Sequence, residues 1–396
     1  MRWVQTSGMA RFGDALVEDA DLEHAAERAL LTALEPLNGT PPDLTAVFVC
    51  GDSDDATAGA LRQVAAASGS STVVGCTATG VIGAGRGLEG TTAVAVWCAV
   101  LPGVRVRSFA LEVMPTDEGL AVVGMPERAD DDVVAVVLAD PWSFPVDGFV
   151  ASSNESLNGL PVVGGIAAGA HGRGSTRLLV DGAVIDRGAV GVLLGGEVRA
   201  YPLVSQGCRP VGPAMTVTAA EENVILELAG VPAVSKLRDI VAELPPLEQA
   251  MATSGLQLGI ARDEYVEEHR QGDFLVRGIA GADAERDGLV VGDIVPVGRT
   301  VRFQVRDAEA ADSDLREVLS DFRGSPLSGP PEGALLFSCN GRGASLFGSA
   351  DHDPMVLREG LTDSGVAGFF AAGEIGPVGG RNFVHGFTAS MLAFTG

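Results

Sequence analysis

The chain has 396 residues, of which 52 are acidic and 27 basic, and its net charge is -25 at pH 7. Such an excess of negative charge repels phosphate backbones and anionic lipids, which argues against nucleic-acid and membrane partners. Hydrophobic residues make up 46% of the sequence and charged residues 20%, a balance typical of a globular protein. The five cysteines form no C-x-x-C pair, so neither a disulfide framework nor a structural zinc site is indicated. With no apolar signal segment at the N-terminus, the expected location is the cytoplasm.

The N-terminal part alternates between helical and strand-like patterns. In order, the patterns predict a helix, a strand, a second helix, a second strand and a two-strand hairpin: residues 19–34, 45–50, 54–67, 71–76, and 91–100 with 104–113. Asp54 or Asp55 can cap the second helix, and Pro102-Gly103 can form the hairpin turn. This part of the chain therefore has the form strand–helix–strand–hairpin.

The pattern V-x-G-x-x-A-x-G occurs at residues 73–80, 162–169 and 366–373. Each copy follows an apolar segment and precedes further strand-like sequence, which indicates a duplicated unit. The Asp181-Gly182 pair in the second copy predicts a hairpin turn. We expect an α+β fold, a layered α/β sandwich of mixed sheets with outer helices, built from duplicated strand–helix–strand–hairpin units.

A segment rich in glycine and proline, residues 205–223, separates two parts of the sequence. After it, Pro232 opens a predicted helix, and residues 312–322 form another. The sequence therefore predicts a domain boundary here, with domains at residues 1–222 and 223–396.

Reactive side chains are densest near the C-terminus. A predicted strand runs into a glycine-flanked loop whose backbone N–H groups are free to face a ligand. Glu374 and Arg381 follow in loop sequence, and His385 begins the last predicted strand. Arg342 can hold a carboxylate and Glu374 an ammonium group, which would suit a zwitterion such as an amino acid. The candidate ligand-binding residues are Cys339, Asn340, Gly341, Arg342, Gly343, Glu374, Arg381, Asn382 and His385.

Other interpretations of these residues stay open. Arg342 and Glu374 can pair with each other, and Cys339 can be a small buried hydrophobe or a nucleophile with His385 as its base. The trio at residues 351–353, Asp-His-Asp, fits a helix start as well as a metal site. The motifs H-E-x-x-H and G-x-S-x-G are absent, and the only lysine, Lys236, lacks the glycine of a phosphate loop. The sequence therefore assigns no catalytic residue, metal or cofactor, and it favours a binding protein over an enzyme.

The segments at residues 337–343, 366–377 and 385–388 together resemble the C-terminal half of FIST proteins, which are named for F-box and intracellular signal transduction. Segments at 73–83, 162–166 and 205–212 are similar to the N-terminal half, so the likeness spans nearly the whole chain. It implies a sensory module that binds a small ligand, usually proposed to be an amino acid. In larger members the module is joined to signalling domains, for which this chain has no room.

The sequence as a whole thus indicates a stand-alone sensory protein of this type, binding an amino acid or a similar small polar metabolite in its C-terminal half. Its further partner would be a second copy of the chain or a signalling protein. Two alternatives remain: a cysteine-dependent enzyme using Cys339 and His385, and a scaffold whose partner recognises the acidic surface.

Overall fold

The computed structural model describes residues 9–117, 119–265, 269, 272–325, 329–363 and 365–396, without the side chain of Ser254. They divide into two compact units. The first unit holds the described residues up to Ser205 together with Leu315–Val384 and Thr388–Gly396. The second holds Gln206–Asp314 and His385–Phe387. The division of the sequence into domains near residue 222 stays a prediction.

The described residues form helices and strands throughout. The helices are α1 Leu22–Leu34, α2 Asp54–Ala67, α3 Val146–Ser156, α4 Ala233–Glu243, α5 Pro246–Gly255, α6 Ala308–Gly324, α7 Gly343–Phe347 and α8 His352–Gly360. The first strands are β1 Arg11–Glu18, β2 Leu44–Cys50, β3 Thr72–Thr77, β4 Gly80–Gly83, β5 Arg86–Glu89, β6 Ala93–Val100, β7 Val104–Thr116, β8 Gly119–Val123, β9 Asp132–Ala139, β10 Val162–Ile166, β11 Leu178–Val180, β12 Ala183–Ile185 and β13 Ala189–Gly196. The remaining strands are β14 Ala200–Gln206, β15 Cys208–Glu221, β16 Val224–Leu228, β17 Val231–Pro232, β18 Leu256–Ala261, β19 Phe274–Asp283, β20 Gly288–Val291, β21 Thr300–Arg306, β22 Pro331–Cys339, β23 Val366–Ala371, β24 Glu374–Val378, β25 Arg381–His385 and β26 Thr388–Thr395.

The first unit contains three copies of one arrangement, which confirms the α+β class. In each copy two strands run parallel, with helical sequence between them: β2 with β3, β9 with β10, and β22 with β23. Two short strands then form a hairpin, and a final strand returns antiparallel beside the first: β6 on β2, β13 on β9, and β26 on β22. Parallel neighbours need such a helical crossover, whereas the antiparallel return does not.

The hairpin of the unit was predicted at the wrong place. Strands β6 and β7, which flank Pro102-Gly103, lie in different sheets. The hairpin is instead β4–β5, closed by Ala84 and Gly85 with positive φ of 52° and 71°. The second copy turns at Asp181-Gly182, as predicted, with φ of 46° and 87°. Both turns have the two positive φ angles that match the right-handed twist of hairpin strands.

Each hairpin pairs with a different copy of the unit, not with its own. Strand β4 of the first copy pairs with β23 of the third, β11 of the second with β3 of the first, and β24 of the third with β10 of the second. The exchange closes a ring, so each sheet contains strands from two copies. No copy can complete its sheet alone.

The third position of the repeated motif is a glycine with the same surroundings in every copy. Gly75, Gly164 and Gly368 lie opposite Val47, Val137 and Leu336 on the parallel neighbour strand. A Cβ atom at any of the three would overlap the carbonyl oxygen of that neighbour. The motif therefore uses glycine because the two backbones approach too closely for a side chain.

The three sheets share one core. It contains side chains from all three copies, among them Phe48, Val136, Phe337 and Phe369, and also the cluster of Phe12, Trp97 and Phe394. Helices cover the other faces: α1 and α2 on the sheet of β2, α3 on that of β9, and α6 and α8 on that of β22. The layers are thus helices outside, sheets next, and a common apolar centre.

Two helix caps show how local sequence sets the boundaries. The Asp21 carboxylate accepts from the backbone N–H groups of Glu23 and His24 and starts α1. Ser53, and not the predicted Asp54 or Asp55, caps α2 by accepting from Ala56 N. Both caps satisfy donors that have no partner inside the helix.

The second unit is a mainly antiparallel sheet with strand order β15-β21-β18-β19-β20-β16-β17. Its core includes Val217, Leu258 and Phe303, and α4 contributes Val234 and Ile240. Over the described part of the chain, no helix has the length and apolar character required to span a bilayer.

Candidate functional site

Arg342 is held inside the first unit by a carboxylate that the sequence did not pair with it. Its side chain is fully buried, with Nε donating to Asp353 Oδ2 at 2.7 Å and Nη2 to Asp353 Oδ1 at 3.0 Å. The Asp353 carboxylate also accepts from Ser338 Oγ at 2.6 Å, and His352 Nδ1 lies 3.0 Å from it. Two parallel N–H···O bonds of this kind fix the plane of the guanidinium group.

Both members of this pair are charged despite their burial. Burial works to raise the pKa of Asp353, but Arg342, His352 and Ser338 hold it well below its usual range. Burial likewise works to lower the pKa of Arg342, and the Asp353 charge more than offsets this, so that the pKa is raised. The remaining nitrogen, Arg342 Nη1, is buried and has no hydrogen-bond partner among the described residues.

Glu374 is the first residue of β24, whereas the sequence predicted that it lies in a loop. It is fully buried, and its Oε2 accepts from Thr388 N at 3.1 Å and from Thr388 Oγ1 at 2.8 Å. Its Oε1 is buried without a hydrogen-bond partner among the described residues. Burial raises the pKa of Glu374 to about 8, although Thr388, Cys339 and the charge of Arg342 act to lower it. Glu374 is therefore mainly protonated at neutral pH.

Cys339 lies at the end of β22 and interacts with both Arg342 and Glu374. It is 6% exposed, and its Sγ accepts from Gly341 N at 3.4 Å and lies 3.8 Å from Asn340 Oδ1. Its thiol interacts with Glu374, and its charge, when ionised, with Arg342. We call the group of Cys339, Arg342, Asp353, Glu374 and Thr388 the Arg342–Glu374 cluster.

The raised pKa of Glu374 makes the stability of the protein depend on pH. Between the ordinary glutamate pKa of 4.5 and about 8, the unfolded chain releases this proton while the folded chain keeps it. The free energy of unfolding must therefore fall as pH rises through this window, by up to about 1.4 kcal/mol per pH unit for one proton. Urea unfolding at a series of pH values measures this slope.

Glu374→Gln is the control for that prediction, because it keeps the shape of the side chain and cannot ionise. Asp14 is half-buried, and burial raises its pKa as well, so the wild-type slope contains more than one contribution. The difference between wild type and variant isolates Glu374. Equal slopes in the two proteins between about pH 5 and about pH 8 would contradict the assignment.

Asn382 connects β25 with the second copy of the repeat. Its Oδ1 accepts from Val162 N at 2.9 Å, and its Nδ2 donates to Leu160 O at 2.9 Å and to Ser153 Oγ at 3.1 Å. These three bonds go to α3, to β10 and to the segment that joins them. The Asn382 side chain thus ties β25 to the second copy, and its role in ligand binding stays a prediction.

The loop residues around Arg342 have different surroundings. Asn340 is exposed and Gly341 half-buried, whereas Gly343 is buried. A Cβ at Gly343 would overlap the carboxylate of Glu89, which accepts from Ala344 N at 2.8 Å. The exposed turn at residues 340–341 is thus the part of the loop that faces solvent.

The two remaining candidates, Arg381 and His385, lie at the two ends of β25. Arg381, the first residue of β25, is exposed. His385 is buried and ends β25, whereas the sequence placed it at the start of the last strand. His385 belongs with Gly386 and Phe387 to the second unit.

Sequence reasoning missed the partner of Arg342. Asp353 was considered only as part of a metal trio or a helix start. Asp351 does precede α8, but its side chain makes no capping bond there and instead accepts from Gly87 N at 2.9 Å. Only the packing of α8 against the β22 loop makes Asp353 the counter-ion of Arg342.

Comparison with known proteins agrees with the resemblance noted in the sequence. Sequence models of the FIST N domain and the FIST C domain match residues 43–231 and 233–377. Over 384 residues the chain is 42% identical to the uncharacterized protein Rv0628c of Mycobacterium tuberculosis, covering 97% of this chain and 99% of that protein. It is 41% identical to the uncharacterized protein Mb0898c of Mycobacterium bovis, covering 97% and 98%. FIST domains are described as sensory domains that bind small ligands. This chain belongs to the FIST family.

Proposed function

We propose that this FIST protein senses a small polar metabolite of the amino-acid type, which binds at the Arg342–Glu374 cluster. The observation that carries the proposal is a pair of buried polar atoms, Arg342 Nη1 and Glu374 Oε1, for which the described residues supply no N–H or O–H hydrogen-bond partner, although the Cys339 thiol interacts with the Glu374 carboxyl. A buried polar group without a partner costs about 1–3 kcal/mol, and such groups are rare in folded proteins. Two of them within one electrostatically coupled cluster favour a polar occupant.

The two atoms differ in the ligand group that they suit. Arg342 Nη1 can only donate, so it suits a carboxylate oxygen, while Nε and Nη2 each donate to Asp353. When ionised, Glu374 Oε1 can accept from an ammonium group. An α-amino acid carries both groups a short distance apart, which supports the zwitterion expected from the sequence.

Entry of a ligand would involve the turn between β22 and α7. Arg342 and Glu374 are fully buried, whereas Asn340 in this turn is exposed. A ligand would therefore displace the turn as it binds, and this displacement is a change that a partner protein can read. A second copy of the chain and a separate signalling protein are the two partners expected, and a cytoplasmic location is part of the proposal.

A thermal-shift screen of the common amino acids, followed by calorimetric titration of any that respond, tests the proposal. A ligand at 100 times its Kd adds about 2.7 kcal/mol to the stability of the folded state. We expect Glu374→Gln to weaken binding at least about tenfold, since the amide cannot pair with an ammonium group. Asp132→Asn removes another buried carboxylate, one that Arg105 and Arg107 hold away from the cluster, and should leave affinity unchanged.

The pH dependence of binding gives a second test. Because Glu374 is mainly protonated at neutral pH, an ammonium group must drive off its proton to pair with it. Affinity should then rise between about pH 7 and about pH 8 in the wild type and stay flat in Glu374→Gln. No response to any amino acid, or equal binding by wild type and Glu374→Gln, would refute the proposal.

A further inference from the structure

We propose a second binding site in the first unit, a cavity that takes an amine carried on an apolar body. The cavity has a volume of about 750 Å³, within the range of small-molecule sites. It lies where β1, β14, β22 and β26 end or begin. Cys339, Arg342 and Glu374 do not line it, so it is separate from the site proposed above.

One wall of this cavity is apolar, and its side chains are packed in the core. Phe12 and Phe394 line it, and their rings pack against each other, with centroids 5.5 Å apart, and against Trp97 in the shared core. Leu101 and Val198 also belong to this apolar wall. These four side chains are at most 8% exposed, so packing in the core fixes the edges that they present to a hydrocarbon group in the cavity.

The polar lining contains hydrogen-bond acceptors without partners. Glu332 Oε2 is buried and has no hydrogen-bond partner among the described residues, and the same holds for Thr395 Oγ1. Thr395 is only 6% exposed. Arg199 also lines the cavity, and its Nη1 donates to the backbone oxygen of Gly396 at 3.0 Å. No ion pair of Glu332 occurs within the part of the chain that the structure describes.

The charge of the lining selects the ligand class. Glu332 and Glu197 contribute two carboxylates, against the one guanidinium of Arg199. Glu332 is half-buried and has no counter-ion among the described residues, so an ammonium group in the cavity would pair with its carboxylate and donate to Thr395. The apolar walls favour a monoamine with an aliphatic or aromatic body over a polyamine.

Titration of the full chain with hexylamine tests the site, with hexanol and hexanoate as probes of the same length and different charge. We expect hexylamine to bind at least about tenfold more tightly than either analogue, and Glu332→Gln to remove this preference. Equal binding of the three compounds, no binding of hexylamine, or an unchanged preference in Glu332→Gln would overturn the proposal.

Further variants distinguish loss of amine binding from misfolding and from failure of the amino-acid site. Val104→Phe adds volume at the half-buried cavity wall and should weaken hexylamine binding even if Glu332→Gln fails to fold. Glu374→Gln should bind hexylamine like wild type, and Glu332→Gln should bind amino acids like wild type. Loss of amino-acid binding alone would therefore refute the function proposed above, and loss of amine binding alone would refute this second site.

Discussion

Asp353→Asn is expected to lower the free energy of unfolding by about 3–5 kcal/mol. The substitution keeps the size of the side chain but leaves Arg342 as a buried cation without its counter-ion. Asparagine also cannot accept from both Arg342 nitrogens and from Ser338 as a carboxylate does. Urea unfolding followed by tryptophan fluorescence, to which the buried Trp97 contributes, measures the change.

Asp131→Asn is the matched control, since Asp131 also binds an arginine. Its pair with Arg105 is exposed on both sides, with 53% and 40% of the side chains accessible, and exposed pairs contribute about 0–1 kcal/mol. The double variant Arg342→Met with Asp353→Leu removes both charges and should recover much of the stability lost in Asp353→Asn. Losses of equal size in Asp353→Asn and Asp131→Asn would show that burial does not set the strength of the Arg342 pair.

Gly368→Ala is expected to destabilise the first unit by about 3 kcal/mol, the upper end of the range for an overpacked core. Its Cβ would overlap the carbonyl oxygen of Leu336 on the paired strand, and backbone cannot move aside as a side chain can. A shift of β23 would also disturb the hairpin of the first copy, because β23 pairs with both β22 and β4. Gly75→Ala should behave in the same way against Val47.

Gly59→Ala is the same chemical change as Gly368→Ala, but we expect it to raise the free energy of unfolding and not to lower it. Gly59 lies inside α2, and a Cβ there meets no atom within 4 Å. Alanine in a helix interior is more favourable than glycine by about 0.5–1 kcal/mol, so this variant should be slightly more stable than wild type. The same urea unfolding measures all three variants, and a Gly368→Ala protein as stable as Gly59→Ala would contradict the packing explanation of the motif.

The strands and one hairpin turn of the repeated unit were predictable because they leave a local signal in the sequence. Apolar runs marked β2 and β22, the motif glycines marked the closely paired second strands, and Asp181-Gly182 marked a turn with two positive φ angles. The β4–β5 hairpin was missed since Ala84 is an unusual residue for such a turn. The β6–β7 hairpin was predicted wrongly because Pro102-Gly103 joins strands of two different sheets.

The candidate site, like the repeated unit, was predicted only in part. The sequence indicated Cys339, Arg342 and Glu374, and the structure brings these three together in the first unit. It could not show that Asp353 holds Arg342, since the two residues meet only through the packing of α8. Nor could it show that Asn382 bonds to α3 and to the segment after it, because those bonds span more than 200 residues of sequence.

The sequence by itself determined the net charge of -25 and the repeated glycine motif. These in turn indicated the globular class and the duplication, and the sequence also determined the family. Charge is a sum over residues, and a motif glycine reports a contact within its own repeat. Only the tertiary structure decided which copy of the unit pairs with each hairpin and which acid neutralises Arg342. It also decided that Glu374 is buried and protonated. Those features depend on neighbours that are distant in sequence, and a pKa in particular is set by the burial and charges around a group and not by its residue type.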